Sequence, residues 1–491
     1  MTAERVLSRR GLYADSVSLL QVSQAVAGAA GVHQALVAMA TELNLQLLAG
    51  MGFDQPATSD PNELLIAIRA ADEDAIGTAL ELIEQLLTAP ARRAGEDRAD
   101  QQPPRTISSA ARGHGSGLAL ISVPGQHAFT ESMDALNAGC NVLVFSDNVT
   151  IEQEIALKDA ATERDLLVMG PDCGTAVVDG VGLGFSHTLD RGPVGLVAAS
   201  GTGAQQVLCL LDAAGVGVSA ALGVGGRDLS EQVAARSSLT ALRWLDEDPA
   251  TELIMLVSKP PAGPVAARLR AAASALRTPV RFALLGPGSP DLTTATEDAL
   301  RQLGRPVPAW PSWPAQGATR PVGRGGRLRG LFCGGTLCDE AMLIASAALG
   351  EIRSNIALQP DWALPDSLRH DGHWMIDFGE DALTRGRAHP MIDPSLRNER
   401  LREAAADPAT GLLLLDVVLG HGAHPDPVAD LLPILERSPV PVLVSLIGAR
   451  RDPQDLAASA GRLAEAGAWV FGSNAAATRH ALELLTEGAH R

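Results

Sequence analysis

Two stretches set small and hydroxyl-bearing residues directly after an apolar run. Ser200-Gly201-Thr202-Gly203 closes GLVAAS and leads into a helical stretch, and Gly334-Gly335-Thr336 does the same after GLFC. A small-residue turn between strand and helix lets backbone N–H groups approach a ligand, and the helix start favours an anion such as phosphate. Hydroxyls at Ser200, Thr202 and Thr336 add possible hydrogen bonds. Neither stretch has the third glycine of a dinucleotide fingerprint, and neither is a Walker loop. An ordinary tight strand–helix turn would look alike, so it is the recurrence that argues for function.

Other candidates also sit just past apolar runs. In LGVGGRD (222–228), Gly225 and Gly226 precede Arg227, which is placed to meet an anion, and Asp228, which could orient a polar group. Asn148 in SDNVT and Asp172 in GPDCGT are positioned either for a ligand or to cap the next turn. Cys173, beside Asp172, reads as buried and inert rather than reactive. Lys259 ends LIMLVS ahead of two prolines, where a compact ammonium favours an anion contact. The other lysine, Lys158 in EIALKDAATE, reads as a solvated helix residue. RGRAHPMIDPSLR (385–397) gathers Arg385, Arg387, Arg397, His389 and Asp393 in one irregular stretch, a density of charge that points to function. His389 reads as a general acid–base or anion ligand, or as a residue that steadies its own loop. His421 and His424 lack an apparent third partner, so no metal site is expected.

The elements that must position these residues fall into three zones. Residues 1–90 mix strand-like runs (32–40, 64–68) with helical spacing (Ser16–Ala27, 74–87), which predicts a small α+β module. The polar stretch 91–117 reads as a linker, and 304–326, rich in Pro, Arg and Gly, as a second. From 118 onward, apolar runs alternate with helical stretches, the pattern of α/β parallel sheets covered on both faces, whose ligands sit at the strands' carboxyl ends. The order repeats: GLVAASGTG pairs with GLFCGGTL, LIMLVSKPP with LLLLDVVLG, and PVRFALLG with PVLVSLIG.

Composition narrows the partners. The chain has 491 residues, a net charge of −18 and 46% hydrophobic residues, enough apolar content for several cores. The acidic balance argues against nucleic acid or an anionic membrane, both of which reward basic surface. Five scattered cysteines without a CxxC pair, and no apolar run approaching ~20 residues, predict a reduced, cytoplasmic protein.

FSDNVT, MGPDCGT, ASGTG, VGGRDLS, VSKPP and HPMIDP together resemble the FdrA family of acyl-CoA-synthetase-like proteins over essentially the whole chain. More distantly, 118–290 resembles the α subunit of succinyl-CoA synthetase. The resemblance implies a CoA-binding-type Rossmann domain (118–190) and two flavodoxin-like ligase domains (191–303 and 327–491). The phosphohistidine of succinyl-CoA synthetases has no counterpart after RFALLG, where Pro287-Gly288-Ser289-Pro290 stands; no histidine occurs between His187 and His370. FdrA-type proteins linked to allantoin breakdown resemble the large subunit of oxamate carbamoyltransferase, which needs two further subunits. Its reaction, oxalurate plus phosphate giving oxamate plus carbamoyl phosphate, needs no covalent histidine and no cofactor beyond phosphate as co-substrate. In that reading the Ser200 and Gly335 helix starts with Arg227 or Lys259 cradle phosphate, and His389 or an arginine of 385–397 serves the substrate carboxylate or proton transfer. The alternatives are an acyl-CoA ligase α-like subunit, which would bind CoA, and a non-catalytic scaffold or sensor.

Overall fold

Strands that are apolar along their whole length need cover on both faces, and that requirement organises the molecule. A computed structural model describes residues 3–10, 12, 16–54, 60, 63–95, 104–115, 117–317, 320–324, 326–384 and 388–489. The chain divides into two units, the first in the main Met1–Arg105, the second Thr106–Thr384 with His389–Arg491.

In the first unit, Leu64–Ala70 is the central strand of an antiparallel sheet, flanked by Ala3–Arg9 and Val32–Met39. Alternation along that strand feeds two cores. Leu64, Ile66 and Ile68 pack with Leu19, Val22, Val26, Ile76 and Ile83 from the helices Ser16–Ala27 and Glu73–Gly95. Leu65 and Ala67 pack with Leu48 and Phe53 on the other face.

The second unit carries three sheets. A three-stranded parallel sheet, Leu118–Ile121, Asn141–Val144 and Val168–Met169, forms the Rossmann-like part. Two six-stranded sheets follow. In the first, the parallel core runs, in spatial order, Val280–Leu284, Leu253–Ser258, Arg191–Ala199, Val218–Gly223. In the second it runs Ala468–Phe471, Val442–Ile447, Thr410–Val418, Arg327–Phe332, Trp374–Asp377. The last four strands of the second follow the same order as the four of the first, so the repeat in the sequence is a repeat of architecture. Leu253–Ser258 and Thr410–Val418 are buried at every position, as strands sandwiched between helices must be.

Three features differ from the sequence expectation. Thr175–Val178 and Val181–Gly184, expected within the Rossmann-like segment, form an antiparallel hairpin on the edge of the first ligase-like sheet. Ile107–His114, expected as linker, is a helix, closed by a capping box between Thr106 and Ser109. The strands Val218–Gly223 and Trp374–Asp377 were not anticipated, because each is a short run beside glycine or polar residues. Among the described residues no helix is long and apolar enough to cross a membrane.

Candidate functional site

In each ligase-like sheet the chain leaves the central strand to one side, then returns on the other. That reversal opens a crevice at the strands' carboxyl ends, where open parallel sheets bind ligands. In the first sheet it lies between Arg191–Ala199 and Leu253–Ser258, flanked by the Ser200 turn and Lys259; in the second between Arg327–Phe332 and Thr410–Val418, flanked by the Gly334 turn and Asp416. The topology thus selects the glycine–hydroxyl turns.

The helices opened by these turns, Gly201–Ala213 and Gly335–Leu349, meet start to start at a seam between the two domains. Ser200 Oγ and Thr336 Oγ1 share a buried hydrogen bond of 2.6 Å, and Ser200 Oγ also accepts from Gly203 N at 3.0 Å as an N-cap. A β-carbon on Gly334 would lie 2.6 Å from Thr202, so only glycine admits this approach. Farther along, Gln206 receives the N–H of Asn474 at 2.9 Å, while Glu340 receives that of Leu292 at 2.7 Å, one contact in each direction across the seam. The expected ligand hydroxyls of Ser200, Thr202 and Thr336 are therefore buried in the seam itself. Ligand-binding capacity at these turns lies in backbone N–H groups instead.

The two turns differ in what faces them. Gly201 is exposed, with no atom near the place of a β-carbon. At Gly335 a β-carbon would lie 2.6 Å from Asp377 Oδ2 and 2.7 Å from Lys259 Nζ. Lys259 reaches over from the first domain and pairs with Asp339 at 3.6 Å. Burial alone would lower the lysine pKa, but Asp339 and Asp377 outweigh it and the net shift is upward. Burial pushes the carboxyls up: Asp377 to about 7 and Asp339 to about 6, with Lys259 pulling each back. Asp377 is held at its strand end by Asn355, which exchanges two hydrogen bonds with its main chain (2.8 and 2.9 Å). Such carboxyls can exchange protons near neutral pH.

The other expected residues fall around this centre or away from it. Asp172, solvent-reached at the lip, has its carboxyl raised to about 7 by desolvation and by Asp381 and Asp147, against Arg227 and Lys259. Asn148 is an exposed neighbour with a left-handed backbone (φ 54°). His389 is half-buried beside Phe185, ring centroids 5.8 Å apart. Its Nδ1 accepts from Met391 N at 3.3 Å, and its Nε2 and Asp377 Oδ1 both lie against Gly379. Burial lowers its pKa to about 4, so at neutral pH it is an uncharged hydrogen-bonding group rather than an anion-binding cation. Gly225 approaches Pro171 too closely for any β-carbon (2.6 Å) and has φ +88°, whereas Gly226 is exposed and open. Arg385 and Arg387 lie outside the described residues.

Three assignments change. Arg227 donates to Val149 O at 2.8 Å and pairs with Glu154 at 2.9 Å, tying its loop to the Rossmann-like part rather than standing free for an anion. Arg397 belongs to the helix Ser395–Ala406 and is 2% exposed, bonded to Asp416 O (2.8 Å) and Cys333 Sγ (2.9 Å). It is a core residue, and a substrate carboxylate does not reach it there. Lys158 is not solvated: its ammonium is wholly buried, donating to Glu154 Oε1 (2.7 Å), Asp228 Oδ1 (2.8 Å) and Val224 O (3.0 Å). Asp228 in turn caps the N–H groups of Ser237 and Ser238.

Asp339, Asp377 and Asp416 were missed. Asp416 carried a visible signal, a charge inside an otherwise apolar run, LLLLDVV. Cys173 is buried, and desolvation raises its thiol to about 12, so it is unsuited to nucleophilic attack.

Comparison with known proteins places these features. Residues 331–484 match the CoA-ligase family, and residues 1–104 match a family described as AllF, heavy metal-associated domain. Residues 1–104 contain no cysteine and one histidine, His33, so this segment has no thiolate donor for a heavy metal. Over 464 residues the chain is 38% identical to the uncharacterized protein YahF of Escherichia coli (strain K12), covering 88% of this chain and 87% of that protein. It is 27% identical over 160 residues to the succinate–CoA ligase [ADP-forming] subunit alpha of Aquifex aeolicus, 31% of this chain and 51% of that subunit, about half its length. Among solved structures, it is similar to the dinucleotide-forming acetyl-coenzyme A synthetase 1 of Ca. Korarchaeum cryptofilum, with 18% identity, 76% and 83% coverage and a TM-score of 0.27.

Proposed function

The chain belongs to the FdrA-like family that includes YahF, with a CoA-ligase domain at its carboxyl end, and from that premise we propose that it is a subunit of an enzyme that makes and breaks acyl–phosphate bonds. The observation that carries this reading is the seam: an open helix start at Gly201 beside a lysine and protonatable carboxyls at Gly335. Inorganic phosphate binds the Gly201 start through backbone N–H groups, with the macrodipole and Lys259 compensating its charge. A phosphate oxygen attacks the acyl carbonyl carbon, Lys259 stabilises the developing oxyanion, and the bond to the leaving group breaks. With an acyl-CoA the products are acyl phosphate and CoA, the proton from phosphate ending on the thiol. Further subunits of the enzyme complete the site.

A second reading, phosphorolysis of a ureido acid to carbamoyl phosphate and an amide, has its own support. A thiolate leaves without help, whereas an amide nitrogen must be protonated as it departs. Asp377 and Asp339, raised to about 7 and about 6, are suited to that task. The loop after Val280–Leu284 also has no histidine to carry phosphate onward. The experiment supplies the complex with phosphate and either a panel of acyl-CoA thioesters or oxalurate, reading free thiol in one arm and carbamoyl phosphate, coupled to ADP phosphorylation, in the other. Thiol release supports the ligase-like reading and carbamoyl phosphate the second. Neither product, with partner subunits present, contradicts both.

A further inference from the structure

His389 takes no part in the chemistry assigned above, yet its ring is held in one orientation. Its main-chain oxygen accepts from Ile392 N at 2.8 Å and Asp393 N at 3.0 Å, and His424 N donates to Met391 O at 2.8 Å, which ties the loop down on both sides. The imidazole lies against Phe185, which in turn meets Phe145 with ring centroids 5.8 Å apart. The two ring nitrogens are not equivalent. Met391 N can only donate, so Nδ1, 3.3 Å away, is the acceptor and the proton of the neutral ring sits on Nε2. Among the described residues Nε2 makes no hydrogen bond. It faces the strand end of Asp377 across Gly379. A β-carbon there would lie 2.7 Å from Nε2, 3.2 Å from Asp377 Oδ1 and 2.6 Å from Cys333 O, so glycine alone admits this approach. The other carboxyl oxygen of Asp377 is turned toward Gly335, where Lys259 Nζ also arrives. Asp377 thus stands between the lysine and the imidazole.

We propose that His389 is a substrate-binding residue of the same site, presenting Nε2–H as a fixed, uncharged donor to an oxygen of the acyl substrate beside Asp377. The imidazole orients the substrate and carries no proton to or from it. Burial supports this division of labour: a ring whose pKa falls to about 4 stays neutral in the range where Asp377, raised to about 7, gains and loses its proton. A neutral donor also adds no second positive charge next to Asp377, which would hold that carboxyl ionised. The substrate class that fits is an acyl compound with a carbonyl or carboxylate oxygen in reach of Nε2, which an acyl-CoA and a ureido acid both supply. The assignment of a substrate oxygen rests on the function proposed above; the position of the ring proton rests on the hydrogen bond from Met391.

The test separates a donor from a proton carrier. Glutamine places an amide N–H near the position of Nε2 but does not exchange a proton, whereas leucine fills the space and does neither. In the assembled complex, with acyl-CoA thioesters or oxalurate as substrate, His389→Leu should lose about 10-fold or more in kcat/KM, while His389→Gln stays within about 3-fold of the unmodified protein. Nitrogen-15 NMR of the full-length chain labelled at histidine, with His389→Gln identifying the signal, should show Nδ1 unprotonated and Nε2 protonated from about pH 5 to about pH 8. A His389→Gln protein as impaired as His389→Leu makes the imidazole a proton carrier and overturns the proposal. So does a His389→Leu protein at full activity, or a ring that takes up a second proton near neutral pH. If the unmodified complex turns over neither substrate, the reading of the reaction fails, and the protonation of the ring, which needs no turnover, still decides whether His389 is a fixed donor.

Discussion

At the scale of single residues, the decisive quantity is how burial and a neighbouring charge divide control of a proton. Asp377 titrates near 7 in the folded protein, well above the ~3.9 of a free aspartate. Its carboxyl is neutral at acid pH and becomes a buried charge as pH rises, so its contribution to stability is full below about 4 and lost on rising through about 7. Asp377→Asn, which mimics the neutral form, should thus gain on the order of 2 kcal/mol over the original at pH 8 and nothing at pH 4, read by urea denaturation. With a ureido substrate the same variant should lose the fall in rate above about pH 7 along with most of the rate, whereas an acyl-CoA reaction should show no such limb. Lys158 lies in a wholly buried set with Glu154 and Asp228, and removing one partner of a buried pair costs about 3–5 kcal/mol. Lys158→Ala should lower the denaturation midpoint accordingly. Both lysines stand out in the sequence by their local settings, a strand end and a helix, yet their roles depend on tertiary burial: the helix pattern around Lys158 gives no sign that the loop 224–228 closes over it.

At the scale of elements, paired helix starts replace ligand hydroxyls. Ser200→Ala removes an N-cap and the partner of Thr336, and should cost about 1 kcal/mol with a matching fall in melting temperature. Gly334→Ala forces a β-carbon into Thr202 and should cost about 1–3 kcal/mol while spreading the seam, so that activity falls more steeply than stability. The turns were legible in sequence because strand, small residues and helix follow one another locally. Their mutual contact was not, since it joins residues 136 positions apart through a domain interface. The strand ending in Asp377 was missed for a related reason: four residues, Trp374–Asp377, give too short a pattern to separate from loop, and only its pairing with Arg327–Phe332 makes it a strand.

At the scale of the whole molecule, the alternation of apolar runs and helices fixes parallel sheets covered on both faces, and the internal repeat fixes two of them with matching order. Each unit has its own buried cores, so 106–491 produced without the N-terminal module should unfold in a cooperative transition and retain the seam, as judged by circular dichroism and by phosphate binding. The proposed chemistry admits two leaving groups, a thiol and an amide. The central claim is narrower: phosphate attacks an acyl carbon at the Gly201 side of the seam. Labelled inorganic phosphate reads it directly, because attack on the acyl carbon moves the label into an acyl phosphate. With the assembled complex and its substrate, labelled acyl phosphate should form, and its yield should fall steeply in Lys259→Met. Label that never leaves inorganic phosphate, or a yield undiminished in Lys259→Met, would contradict the account.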